Sequence, residues 1–255
     1  MKCVHTQSTQ PIEHEGTFNE IPRWKRVLDI ACIVVAAPII LPVGLLIGLL
    51  IKIVSPGPVF FYQERVGRLE KRFRCMKFRT MRVNAETQVH AKYLAQLMTS
   101  NTPMTKLDTR DSRVIPFGRV LRATGLDELP QLINVWRGEM SLVGPRPCVP
   151  YEFANYLPRH RGRCATLPGL TGLWQVSGKN RTTFEEMIDL DLDYCRTKSL
   201  WLDVKIIAMT IPAIVVQVWD TLKRKAAARH AHNVQAQRET VGRAESNAQT
   251  FVHGK

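Results

Sequence analysis

The sequence predicts an α/β chain, mostly helical with a few short strands, that carries one membrane-embedded helix near its start. Three observations predict it. Ile30 to Ile51 holds 22 residues without a charge, more than the ~20 a helix needs to cross the hydrocarbon core. "VFFYQERVG" and "RFRCMKFRTM" are short runs rich in aromatic and branched residues, bounded by turn signals, as strands are. In residues 84 to 98 and again from Phe184 to Cys195, apolar side chains recur at helical spacing with polar ones opposite.

Composition fits one generous domain with appendages: 255 residues, 45% of them hydrophobic. With 36 Lys+Arg against 22 Asp+Glu, the net charge is +14. Such a chain meets an anionic partner: nucleic acid, an acidic membrane face or phosphorylated substrates. Cys3, Cys32, Cys75, Cys148, Cys164 and Cys195 are scattered without a C-x-x-C pair, which argues against a disulfide framework or zinc cluster and for a reduced, cytosol-facing protein. His230 and His232 stand in a polar tail without nearby partner ligands.

Taken in order, residues 1–20 are polar and irregular, a flexible arm. Residues 21–54 form the membrane segment. The polar stretch before it and its length argue against a cleavable signal. Pro38 and Pro42 each remove a donor near its middle and should kink or break the helix. Cations flank both ends: Arg23, Lys25 and Arg26 before, then Lys52, Arg65, Arg68, Lys71 and Arg72. The positive-inside tendency keeps both flanks in the cytoplasm, so a helix broken near its middle that enters and returns competes with an ordinary tilted span. Asp29, three and four residues from Arg26 and Lys25, reads as a local helical ion pair.

"SPGP", residues 55 to 58, ends the helix. In the second strand, alternation puts Phe73, Cys75, Lys77 and Arg79 on one face, either a solvated edge or an anion site. Val89, Leu94, Leu97 and Met98 would line the next helix. A loop and "RVIPFGRVLRATG" then lead into "LDELPQLINVWRGEMSLVGPRP". Pro130 suits a first helical turn, which sets Asp127 and Glu128 at the helix start, where the dipole favours carboxylates by about 0.3–1 kcal/mol. Asp127 is then either a helix cap or part of a site. Arg122 lies five residues before it, and the rigid Gly-Pro-Arg-Pro segment aims the Arg146 guanidinium, whose fork suits phosphate. Two carboxylates beside arginines make a workable apparatus for phosphoryl chemistry, with Mg²⁺ bridging carboxylate and phosphate or Asp127 as nucleophile.

"LPGLTGLWQVSGKN" is glycine-rich but fits no Walker or Rossmann spacing. Glu185, Asp189 and Asp193 form the solvated face of a helix opposite Phe184, Met187 and Ile188. Ile206 to Val216 is too short to span a bilayer; flanked by Trp201 and Trp219, it lies in the interface or packs into the core. Residues 221–255 form a basic tail short of large apolar groups, expected to be disordered.

The ordered motifs "KRVLD", "SPGPVFFYQERVG", "FRCMKFRTM", "LRATGLDELPQLINVWRGEMSLVGPRP", "PGLTGLWQVSG" and "SLWLDVKI" resemble the bacterial sugar transferases, the monotopic phosphoglycosyl transferases of exopolysaccharide-type galactosyl- or glucosyl-phosphate transfer. The similarity runs over about residues 23 to 217. It implies a re-entrant membrane helix hairpin plus a cytoplasmic, membrane-associated catalytic domain over 55–220, at the bacterial inner membrane. It further implies transfer of a sugar-1-phosphate from a nucleotide diphosphate sugar, such as UDP-galactose or UDP-glucose, to undecaprenyl phosphate. By resemblance Asp127 is the nucleophile and Glu128 a Mg²⁺ ligand or base, while Arg122, Arg146 and Lys77, with Arg79 and Gln131, handle phosphate. The family's helix break is commonly Ser-Pro, and here Ala37 precedes Pro38. The implied partners are the nucleotide sugar, undecaprenyl phosphate and anionic lipids, with a homo-oligomer left open. A non-catalytic membrane scaffold is the alternative. A nucleic-acid binder is disfavoured, since no binding fold is recognisable and paired acids repel phosphate without a metal.

Overall fold

The computed structural model describes residues 20–82, 95–100, 102–104, 113–178, 181–216 and 218–219. The expected arm before Glu20, most of the 84–98 helix including Val89 and Leu94, and the tail with His230 and His232 lie outside them. The described residues are mostly helical with a few short strands, as the sequence implies.

Helix α1, Arg23–Val54, is assigned without interruption across Pro38 and Pro42. By length and composition it could cross a membrane, and most of its apolar side chains, Val35, Ile39, Leu41 and Leu45 among them, are exposed. It stops at Ser55, whose extended backbone returns an N–H to Ile51 O at 3.1 Å. Strands β1 (Phe60–Val66) and β2 (Arg72–Phe78), the two short strands expected from their residue pattern, pair antiparallel from Phe60↔Phe78 to Val66↔Arg72. Next come α2 (Gly118–Thr124), α3 (Gln131–Arg137) and β3 (Ser141–Val143). Short helices α4 (Pro150–Ala154) and α5 (Pro158–Arg161) lead to β4 (Gly169–Thr171), which pairs parallel with β3. The sequence reading missed this second sheet, because strands of three residues carry almost no alternation. Helices α6 (Leu173–Val176), α7 (Phe184–Thr197) and α8 (200–216) complete the body.

The amphipathic reading of α7 holds. Phe184, Met187 and Ile188 are buried, Asp189 and Asp193 are exposed, and Arg159 pairs with both Glu185 and Asp189. Helix α8 buries Asp203 and Ile206 but leaves Trp201, Ile211 and Val215 in the open.

Both ends of α1 are seated on the same body. Ile33 packs against Cys75, Val135 and Met140; Ile47 and Ile51 join Phe78, Ile115 and Leu121. Several of the flanking charges are drawn into the body. Lys25 is fully buried, its ammonium 2.6 Å from Asp203 and 2.8 Å from both Tyr194 OH and Val143 O. Arg26 donates to Val135 O and Trp136 O, carbonyls at the open end of α3. Asp29 is not the local ion pair its spacing suggests. It accepts from Ser141 Oγ at 3.0 Å and from Leu142 N at 2.9 Å, because a buried carboxylate takes whatever donors β3 presents. Arg65, also read as a flank charge, is buried inside the body.

Removing one partner of a buried ion pair strands the other, at a cost of about 3–5 kcal/mol, whereas replacing both with apolar groups is often neutral. Lys25→Met should therefore lower the unfolding free energy of the detergent-solubilised protein by about that amount, and Lys25→Met with Asp203→Leu should recover most of it. Denaturant titration of the two variants checks this.

Candidate active site

Helix α2 ends at Gly125, whose φ of 74° is the left-handed conformation that glycine adopts freely. That reversal throws the chain into one 3₁₀ turn, Leu126–Glu128, before Pro130 opens α3. Asp127 and Glu128 thus sit in their own turn. Pro130, not Asp127, stands at the cap position of α3, so the expected cap role is corrected. Asp127 is buried to 8% exposure, and Glu128 is half-buried.

Strand β2 brings the cation. Lys77 Nζ lies 2.8 Å from Glu128 Oε1. Helix α3 is pinned to the same strand by Asn134, which accepts from Met76 N at 3.0 Å and donates to Arg74 O at 2.8 Å. The two elements that present the acidic pair and Lys77 are therefore held in register by one amide side chain. Gln131 is buried at the first turn of α3, and Arg122 is half-buried in the last turn of α2.

Arg79 is placed elsewhere. Its guanidinium donates to Ser55 Oγ, Ser55 O and Pro56 O at 2.7–3.1 Å, clamping the carbonyls at the end of α1. Its side chain is buried against those carbonyls.

The Gly-Pro-Arg-Pro turn follows β3 directly. Its backbone lies so close to "PGLTG" that a Cβ on Gly144 would stand 2.3 Å from Leu167 O, and one on Gly172 would stand 2.2 Å from Gly144 O. The glycine-rich loop, uninformative as a motif, is the bed on which this turn rests. Arg146 Nη1 lies 3.2 Å from Glu152 Oε2, and Arg163 donates to Arg146 O at 2.9 Å.

Arg65 is the residue the sequence reading failed to place in the site. It donates to Pro147 O at 2.8 Å and to Gln63 Oε1 at 2.6 Å. Burial lowers its pKa, and the like charge of Arg146 lowers it further, while Cys75, Glu152 and Glu128 oppose this. The buried Cys75 thiol is pushed up by burial although Lys77 and Arg65 pull it down; Glu128 and Arg146 also act on it. Lys77, Glu128, Arg65 and Arg146 thus act on one buried neighbourhood around Cys75. Alternation does not mark Arg65, because β1 buries both Arg65 and Val66, and an Arg that flanks an apolar segment reads as surface.

Asp127 and Glu128 are the only pair of carboxylates proposed from sequence for a metal, and their adjacency in one turn fits a cation completed by substrate oxygens. Among the described residues no group of three or more His, Cys, Asp or Glu gathers as an all-protein cage.

A family model described as bacterial sugar transferase matches residues 21–217. The chain is 43% identical over 161 residues to the galactosyl transferase CpsE of Streptococcus agalactiae, covering 63% of this chain and 35% of that protein. It is 38% identical over 224 residues to the exopolysaccharide production protein ExoY of Rhizobium meliloti, covering 84% of this chain and 97% of that protein. It is also 38% identical over 199 residues to the UDP-glucose:undecaprenyl-phosphate glucose-1-phosphate transferase of Caulobacter vibrioides, covering 75% of this chain and 69% of that one. The chain thus spans about a third of the first relative's length and nearly all of the second's.

Overpacking a tight backbone contact costs about 1–3 kcal/mol. Gly144→Ala should lower the denaturation midpoint accordingly, because the backbone of Leu167 and Gly169 must move to admit the methyl group; an unchanged midpoint would count against the close approach.

Proposed function

Since the chain belongs to the bacterial sugar transferase family, we propose that it is a phosphoglycosyl transferase that moves a sugar-1-phosphate from a nucleotide diphosphate sugar, UDP-galactose or UDP-glucose, to undecaprenyl phosphate. The observation that carries this is the pairing of Lys77 with Glu128 beside a buried Asp127, with Lys77 on a strand that pairs with the one bearing Arg65, whose guanidinium holds Pro147 O in the turn that carries Arg146. Carboxylates among fixed cations can attack and release phosphate without facing bare like-charge repulsion.

A carboxylate oxygen of Asp127 attacks the phosphorus that bears the sugar. The phosphoanhydride bond breaks, and the nucleoside monophosphate leaves with the electron pair, so Asp127 carries the phosphosugar as an acyl phosphate. An oxygen of the lipid phosphate then attacks the same phosphorus. Asp127 is released, and the sugar ends on a polyprenyl diphosphate. Lys77 holds Glu128 in place, and Arg146 offers the planar fork suited to phosphate oxygens. Asp127 and Glu128 are the residues that would hold Mg²⁺, which when bound neutralises charge on the phosphate oxygens.

Seating at both ends of α1 supports the membrane reading. A straight helix of 32 residues would be about 48 Å long. Lys25 and Asp29 near its start and Ile47 and Ile51 near its end all pack on one body, as a helix bent back at Pro38 and Pro42 would. We read α1 as re-entrant, with the body on the cytoplasmic face of the inner membrane. Trp201, Ile211 and Val215, all at least 62% exposed, give α8 an apolar face for the same anionic lipid surface.

Asp127→Asn should reduce transfer of radiolabelled sugar phosphate into undecaprenyl phosphate by roughly 10³-fold or more while the protein stays in the membrane fraction. Retained turnover would sink the nucleophile assignment. For topology, single cysteines introduced at Glu20 and Tyr62 in a cysteine-free background should both react with an impermeant maleimide in inside-out vesicles only; labelling from opposite sides would rule out the hairpin.

A further inference from the structure

Behind Arg146 lies a buried ionic network that phosphate transfer as described above does not use. Glu152, fully buried, accepts from Arg146 Nη1 at 3.2 Å through Oε2 and from Tyr156 OH at 2.7 Å through Oε1. Arg163 donates to Tyr156 OH at 2.6 Å, to the Arg146 carbonyl at 2.9 Å and to Asp191. Arg65 holds the next carbonyl, that of Pro147, at 2.8 Å. Two successive carbonyls of the turn are therefore gripped by buried guanidiniums, and the Arg146 side chain is gripped by a buried carboxylate.

The charges in this network do not balance. Three guanidiniums, Arg65, Arg146 and Arg163, face two carboxylates, Glu152 and Asp191. Burial disfavours ionisation of Glu152, yet Arg146 and Arg163 outweigh it and hold the carboxyl below its ordinary range. Asp191 is pushed up to about 6 by burial against the pull of Arg163, which leaves it largely ionised at neutral pH. One positive charge is left over. A buried excess charge is costly unless an anion meets it. Arg146 has the most exposed side chain, 27% against 2% or less for Glu152, Arg163 and Asp191, and Arg65 is buried as well. The excess is therefore presented at its tip.

We propose that Glu152 is a positioning residue that acts through Arg146, fixing that guanidinium so that it receives a substrate phosphate, which supplies the counter-charge the buried network lacks. The phosphate belongs to the nucleotide sugar or to the lipid; that identification rests on the transferase reading. Tyr156 serves the same end one bond further back, by holding the second oxygen of Glu152.

Steady-state kinetics of the full chain in nanodiscs, varying each substrate in turn, test this with Glu152→Gln, Glu152→Asp, Arg146→Lys and the Arg146→Lys/Glu152→Gln pair. Glu152→Gln should raise KM for one substrate at least tenfold with kcat changed less than threefold, and the substrate affected identifies the phosphate. Glu152→Asp should recover part of that loss, and the double variant should be no worse than Arg146→Lys alone. The sign is informative: Glu152→Gln makes the network more positive, so a merely electrostatic role would lower KM. A merely structural role would lower the unfolding midpoint and the active fraction and leave both KM values unchanged. Either result, or additive losses in the double variant, overturns the proposal. If Glu152→Gln does not fold, Tyr156→Phe keeps every charge and should raise the same KM by a smaller factor; no rise overturns the proposal.

Binding is also read without turnover. Inorganic pyrophosphate should raise the unfolding midpoint of the wild-type chain and do so less in Glu152→Gln and Arg146→Lys. Wild-type protein that shows this Glu152-dependent shift but transfers no sugar would refute the transferase reading and leave the anion site standing. Wild-type protein that transfers sugar while Glu152→Gln keeps its KM values and its pyrophosphate shift would refute the positioning role alone.

Discussion

The structure depends on a lysine that has left the surface. Lys25, one turn into α1, reaches Asp203 of α8, Tyr194 of α7 and the carbonyl of Val143. Tyr194 closes the ring by donating to Asp203 at 2.7 Å. An ammonium brings three donors and no acceptor, and here each has a partner at the point where α1, β3, α7 and α8 meet. Asp29, one turn on, fastens the same strand through Ser141 and Leu142. Such a node is a poor source of net stability, since desolvation offsets most of the attraction. Its use is specificity. A helix with an almost uniformly apolar surface could slide or rotate against the body, and a buried charge with a fixed partner allows one register.

That register reaches the candidate site along three short paths. Val143, which accepts from Lys25, is followed at once by Gly144 and the turn that bears Arg146. Arg26 grips the far end of α3, whose near end follows Asp127 and Glu128. At the other end of α1, Ser55 and Pro56 are held by Arg79, two residues after Lys77 on the same chain segment. Three of the segments that supply site charges are therefore attached to α1. In the reading proposed here the membrane helix sets the geometry of the chemistry as well as its location, and a lipid-borne acceptor would meet a site already registered to the bilayer.

Much of this was legible in residue order. The strands β1 and β2, though not their pairing, announced themselves through aromatic and branched residues, and the solvated face of α7 through acids four residues apart. Asp127 and Glu128 stood out because adjacent acids are unusual in so basic a chain. The illegible part has one physical cause. Lys25, Asp29, Arg65, Arg163 and Asp191 are all buried, and each has a partner far off in sequence; Lys25 and Asp203 are 178 residues apart. Local rules assign a charge to the nearest opposite charge or to water. Asp29 beside Lys25 and Arg26 invited a helical ion pair, and tertiary donors took it instead.

The glycines make the same point from the opposite side. "PGLTG" and the glycine of Gly-Pro-Arg-Pro fit no nucleotide-loop spacing, so a motif reading assigns them nothing. In three dimensions Gly144, Gly169 and Gly172 face one another, and a Cβ on any of them would fall within 2.3 Å of a backbone atom. Their missing side chains let β3 and β4 approach closely enough for Gly144 N to reach Thr171 O at 2.9 Å and Gly169 N to reach Pro145 O at 2.8 Å. These bonds hold the turn from one side while Arg65 and Arg163 hold it from the other. Arg146 is therefore aimed by absence as much as by charge: glycine sets how near the backbone comes, arginine sets its direction, and Glu152 sets what remains of the side chain's freedom.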